Sequence, residues 1–125
     1  MARVALVTGG QRGIGAAISE GLQAAGRKVA ASYAGNDAAA QAFTERTGIP
    51  CYKFDVGDFD ACTAAVAKIE AELGPIEVLV NNAGITRDAM MRKLTRQMWD
   101  DVIDTNLGSC YNMCKAVWDL SLIHI

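Results

Sequence analysis

The feature that most constrains this chain lies near its start, where Val4-Ala5-Leu6-Val7 runs into Thr8-Gly9-Gly10-Gln11-Arg12-Gly13-Ile14-Gly15. The apolar run has the length of a buried strand, and helix-spaced apolar residues (Ile14, Ala17, Ile18, Leu22, Ala25) follow the glycines at once. The spacing predicts a strand, a tight turn and a helix N-terminus. Such a unit suits a phosphate. Glycines let the backbone approach a ligand closely, and the first amides of a helix lack internal partners and carry the positive end of its dipole. The spacing is not G-x-G-x-x-G but Thr8-Gly9-x-x-x-Gly13-Ile14-Gly15, and taken alone it is also compatible with an ordinary turn.

The rest of the chain repeats the alternation. Lys28-Val29-Ala30-Ala31-Ser32-Tyr33 reads as a second strand after Gly26, a helix stop. Asn36 caps a second helix carrying Ala39, Ala40 and Phe43, and Gly48 stops it. Ile49 to Val56 reads as a third strand, with Pro50 suited to a sheet edge that can spare a backbone donor. Asp58 caps the clearest amphipathic helix (Phe59, Cys62, Val66, Ile69, Leu73), which Gly74-Pro75 ends. Ile76 to Val80 is an apolar fourth strand, as expected if both its faces are covered. From Thr95 a further helix is expected to run on, with Met98, Val102, Ile103, Leu107, Cys110, Tyr111, Cys114, Val117 and Trp118 on its apolar face. Alternating strands and helices imply a parallel sheet with right-handed crossovers.

At 125 residues, 51% hydrophobic, 21% charged and with a net charge of -2, the chain has the composition of one small globular domain. No basic patch marks a nucleic-acid partner. No apolar run approaches the roughly 20 residues of a membrane span, and Met1-Ala2-Arg3 leaves no room for a signal peptide, so no membrane partner and a cytoplasmic location are expected. The four cysteines, Cys51, Cys62, Cys110 and Cys114, have no C-x-x-C spacing, and His124 is the sole histidine. Reduced, buried thiols and no metal site are the reading.

The fourth strand leads directly into Asn81-Asn82-Ala83-Gly84. Together with the glycine turn, the Asp55-Val56 pair and Asn106 in the later helix, this resembles the short-chain dehydrogenase/reductase family. The resemblance covers residues 1–119. It implies the N-terminal part of a Rossmann-like doubly wound α/β fold, four parallel strands in the order 3-2-1-4 with flanking helices, truncated before its end. It also implies a coenzyme site: Gly9, Gly13 and Gly15 form the turn with Gln11, Arg12 and Ile14, Asp55 and Val56 meet the adenine, and Asn82, Ala83, Gly84, Ile85 and Thr86 follow the nicotinamide side. Asn106 matches the asparagine whose backbone carbonyl holds a water in a proton relay, and Asp88 is placed near the mouth of the substrate site. Each residue also has a purely structural reading, as a turn, strand-end or helix-kinking position. Gly84-Ile85-Thr86-Arg87-Asp88 and its flanks look most like the branch of the family that reduces 3-oxoacyl thioesters on coenzyme A or acyl carrier protein, with a homotetrameric full-length protein. A non-catalytic dinucleotide-binding module is the reading of another class.

Coenzyme choice follows from charge. A site for NAD usually carries an acid about 20 residues past the glycine turn, and the second strand instead ends in Ser32-Tyr33-Ala34. With no acid there and Arg12 in the loop, NADP(H) is expected.

Two features are discounted. Tyr111-x-x-x-Lys115 matches the family's catalytic Tyr-x-x-x-Lys, but it shares a helix with Asn106 and no strand intervenes to deliver the catalytic serine, so Tyr111 is expected to face the core beside Leu107 and Cys114. The chain alone is therefore expected to be inactive. The final Leu120-Ser121-Leu122-Ile123-His124-Ile125 is also the in-frame translation of CTG TCT CTT ATA CAC ATC, the end of a transposon-based sequencing adapter. Residues 120–125 are thus read as a non-native tail in which His124 has no function.

Overall fold

The computed structural model describes residues 3–120. The tail expected from Leu120 onward, His124 included, lies outside them apart from the helical backbone of Leu120. The elements are β1 (Val4–Val7), α1 (Gly13–Ala24), β2 (Lys28–Tyr33), α2 (Asp37–Thr47), β3 (Cys51–Lys53), α3 (Phe59–Leu73), β4 (Ile76–Val80), α4 (Arg96–Ile103), a π turn (Asp104–Gly108) and α5 (Ser109–Leu120). The strands form one parallel sheet in the order β3-β2-β1-β4. This is the Rossmann-like arrangement and strand order expected above.

Strand β1 is wholly buried, and its side chains alternate between two cores because successive residues of a strand face opposite ways. Val4 and Leu6 join Ala30, Val66, Ile69, Met113 and Val117 under α3 and α5. Ala5 and Val7 join Val29, Ala31, Phe43 and Ile49 under α1 and α2. Helices on both faces explain why β1 reads as a continuous apolar run.

Capping follows the sequence. The Oδ1 of Asn36 accepts from the Ala39 amide at 3.0 Å, and the Oδ1 of Asp58 accepts from the Ala61 amide at 3.1 Å. Gly48 and Gly74 close α2 and α3. Of the four cysteines expected to be buried, Cys62 is fully so, Cys51 and Cys110 are half-buried and Cys114 is exposed. The Cys62 thiol is pushed up to about 11 by burial, then by Asp55 and Asp58. Among the described residues no group of three or more His, Cys, Asp or Glu gathers for a metal, and no helix is long and apolar enough to cross a membrane.

Two expectations need correction. The third strand is confined to Cys51–Lys53, which pair with Ala31, Ser32 and Tyr33 of β2; Asp55 and Val56, expected within it, lie in the loop that follows. The helix after Thr95 runs on as expected, but its apolar face does not persist. A π turn over Asp104–Gly108 admits an extra residue and rotates the following face. The buried residues of α5 are Ser109, Asn112, Met113, Ala116 and Val117, whereas Leu107 and Tyr111 are exposed by 65% and 63%. Tyr111 does not face the core. It stacks on Phe59 at the surface, with ring centroids 6.1 Å apart.

Candidate coenzyme site

The turn between β1 and α1 has a geometry that other residues would not tolerate. Gly9 and Gly13 sit at φ +62° and +55°, a region L-residues rarely adopt. A Cβ on Gly15 would stand 2.0 Å from the Gly9 carbonyl oxygen and 2.6 Å from Nδ2 of Asn82. The turn is therefore folded tightly on itself, with the N-terminus of α1 opening beside it. Such a turn has the shape and the free amides that suit an anion.

The cradle is stitched to both neighbouring strands. Thr8, 2% exposed, accepts from the amides of Asn82 and Ala83 through Oγ1, each at 3.0 Å. Asn82 answers through Nδ2, donating to the carbonyls of Thr8 at 3.1 Å and Gly9 at 3.2 Å. On the other side, Ser32 accepts from the Gly9 amide through Oγ at 3.3 Å and from the Gly10 amide through its carbonyl at 3.2 Å. The ends of β1, β2 and β4 are thus locked together at one edge of the sheet, where parallel α/β sheets bind their ligands.

A cleft of about 710 Å³ opens over this edge. Gly9, Gln11, Arg12, Gly13, Ile14, Gly15, Asp55, Val56, Asn82, Ala83, Gly84 and Ile85 all line it, so the structure gathers most of the residues singled out by sequence. Thr86 and Asp88 are not among the lining residues. Asn106 does not line it either, but its side chain brackets Ile85, accepting from the amide at 2.8 Å and donating to the carbonyl at 2.9 Å. Asn106 lies within the π turn, so one irregular turn both displaces the helix and anchors the loop after β4. Gln11 is 8% exposed, and its Oε1 is buried with no partner among the described residues.

Sequence reasoning missed Thr8 and Ser32 as organisers of the turn, and Phe54, Arg87, Asp101 and Thr105 on the cleft wall. Tyr111 and Lys115 are absent from that wall. The Lys115 ammonium instead pairs with Asp119 at 3.2 Å.

A parallel Rossmann-like sheet with a glycine cradle at the strand ends defines a dinucleotide-binding class of α/β protein. The short chain dehydrogenase family model matches residues 3–122, and the chain belongs to that family. An acetoacetyl-CoA reductase of Paracoccus denitrificans is 66% identical over 118 residues, covering 94% of this chain and 49% of the relative. An acetoacetyl-CoA reductase of Shinella zoogloeoides is 64% identical with the same coverage. A 3-oxoacyl-(acyl-carrier-protein) reductase of Chlamydia muridarum is 43% identical, covering 92% of this chain and 48% of the relative. Among solved structures, a double mutant of a Serratia marcescens short-chain dehydrogenase/reductase superposes with a TM-score of 0.88 at 30% identity, covering 95% of this chain and 51% of that one. The chain spans about half the length of the curated relatives it matches. Family membership implies a nicotinamide dinucleotide cofactor.

Proposed function

We propose that this chain is the coenzyme-binding half of an NADPH-dependent reductase converting a 3-oxoacyl thioester, acetoacetyl-CoA before others, to the 3-hydroxyacyl thioester. The observation that carries this reading is the cleft itself, in which the glycine cradle, Asp55-Val56 and Asn82 to Ile85 converge. The names of the Paracoccus and Shinella relatives support acetoacetyl-CoA, and the Chlamydia relative supports a thioester on acyl carrier protein as the second reading. A cytoplasmic, homotetrameric whole protein belongs to the same proposal and rests on family resemblance.

The residues present fit the group. Gly9, Gly13 and Gly15 leave room for a pyrophosphate; Asp55 and Val56 would hold the adenine, and Asn82, Ala83 and Gly84, with Ile85 and Thr86 after them, the nicotinamide side. The dinucleotide would supply a hydride. Asn106 fixes the loop that borders the nicotinamide and is the proposed carrier of a relay water on its backbone carbonyl, while Asp88 is proposed for the substrate mouth. A side chain with a buried, unpartnered oxygen, Gln11, gains a hydrogen bond by turning toward a polar ligand.

NADP(H) is proposed over NAD(H) because Arg12 lines the cleft, and its guanidinium makes no hydrogen bond or ion pair among the described residues. A hydrogen bond to a 2′-phosphate contributes about 1.5–3 kcal/mol. Arg12→Ala is accordingly expected to weaken NADPH by about tenfold or more and NADH by less than about twofold. Fluorescence titration with each coenzyme checks this, and equal losses for both would contradict it.

The acid that protonates the developing alkoxide is proposed to lie outside these 125 residues. Tyr111 is the one candidate with a lysine four positions on, and it stacks on Phe59 away from the cleft. Alone, the chain is proposed to bind coenzyme without turnover.

A further inference from the structure

Asp55 and Val56 line the cleft from the loop after β3, beyond the last residue of the strand. Two buried side chains hold that loop. Asn112 of α5 donates Nδ2 to the Val56 carbonyl at 3.0 Å, and the Cys62 thiol of α3 donates to the same oxygen at 3.4 Å. The thiol also lies 3.7 Å from the Asp55 carbonyl. Its raised pKa keeps it protonated, and so a donor, at neutral pH. The Val56 side chain belongs to the same buried cluster as Val66 and Met113. With side chain and carbonyl both turned inward, Val56 fixes the peptide planes around it. The Asp55 carboxylate, which accepts from the Gly57 amide through Oδ1 at 2.8 Å, is thereby held at the cleft wall.

The π turn makes this possible, because the register that leaves Tyr111 at the surface brings Asn112 in beneath the loop. Asn106, earlier in the same segment, braces Ile85 with its own carboxamide, so one irregular helix supports two loops of the cleft. Resting on the dinucleotide reading above, we propose that Asn112, with Cys62 as a second donor, is a positioning residue for adenine: through the Val56 carbonyl it sets the loop whose Asp55 carboxylate accepts from the 6-amino group.

The readout is the ratio of affinities for NADPH and deamino-NADPH, whose hypoxanthine carries at that position a carbonyl oxygen that a carboxylate repels. In fluorescence titrations the unsubstituted chain is expected to prefer NADPH about three- to tenfold, the scale of one hydrogen bond. Asn112→Leu is expected to erase most of that preference, weakening NADPH about three- to fivefold and deamino-NADPH less than about twofold. Cys62→Ala removes the second donor with a smaller change of shape and is expected to lower the ratio about twofold; it decides the matter if Asn112→Leu does not fold. Val117→Ala, buried on the same helix with no bond to the loop, is expected to lower Tm and keep the ratio. An unchanged ratio in the Asn112 and Cys62 variants, or an equal fall in the Val117 variant, would overturn the positioning role alone. An unsubstituted chain that binds the two coenzymes equally would overturn the placement of adenine at Asp55 and this inference with it, and one that binds neither would overturn the dinucleotide reading itself.

Discussion

Gly15→Ala is expected to abolish measurable coenzyme binding, a loss of more than about tenfold, and to destabilise the chain. Helix propensity alone predicts the opposite, since alanine in a helix interior is favoured over glycine by about 1 kcal/mol. Sterics reverse the sign. The added methyl would stand 2.0 Å from the Gly9 carbonyl oxygen, so the backbone of the turn must move, and overpacking of this kind costs about 1–3 kcal/mol or more. That movement displaces the amides of the cradle and breaks the bond from Asn82 to Gly9. Gly21, on the same helix, is the internal control, because a Cβ there meets nothing within 4 Å. Gly21→Ala is expected to raise stability by about 0.5–1 kcal/mol and leave binding unchanged. Thermal melts and NADPH titration of the two variants check both directions, and a stabilised, binding-competent Gly15→Ala would contradict the packing.

The second large effect belongs to Thr8→Val. The two side chains match in shape, so the substitution removes a hydroxyl and little else. Its Oγ1 serves the amides of Asn82 and Ala83 and lies 3.4 Å from the Val80 carbonyl. Each amide left without a partner costs about 1–3 kcal/mol when desolvated. Partial access of water to Asn82 and Ala83 lowers the total, and a net loss of about 2–4 kcal/mol is expected, which lowers Tm by roughly 10 °C in a domain of this size. Thr8→Ser keeps the hydroxyl and is expected to lose less than half as much. Calorimetry on the pair gives the comparison. Equal losses would mean that the methyl, packed in the sheet, matters more than the hydroxyl.

The fold was legible where local signals agreed. The bounds of β2 and β4 coincide with apolar runs closed by turn residues, and α2 and α3 begin at Asn36 and Asp58, whose carboxamide and carboxylate cap them as their chemistry suggests. The glycine turn was legible because its φ angles and close contacts admit few residues other than glycine. The third strand was overestimated because an apolar run does not show where the backbone turns out of the ladder. Phe54 keeps one bond to β2, from its amide to the Tyr33 carbonyl at 3.1 Å, and with Asp55 and Val56 beyond it lines the cleft. The inward orientation expected of Tyr111, Leu107 and Cys114 failed because a single extra residue in the π turn shifts every later position on the helix. The bonds by which Thr8 and Ser32 fix the turn escaped notice for another reason. Their partners lie far away in sequence, and isolated polar side chains leave no periodic trace.

The most direct test of the central claim, a coenzyme cradle without its proton-donating acid, is one fluorescence experiment on the 125-residue chain. NADPH is titrated in until its emission saturates, then acetoacetyl-CoA is added. The expected result is saturable enhancement of NADPH emission, weaker binding of NADH in the parallel cuvette, and no decay of NADPH after acetoacetyl-CoA. Absence of binding would contradict the cradle. An acetoacetyl-CoA-dependent decay that Tyr111→Phe abolishes would contradict the missing acid.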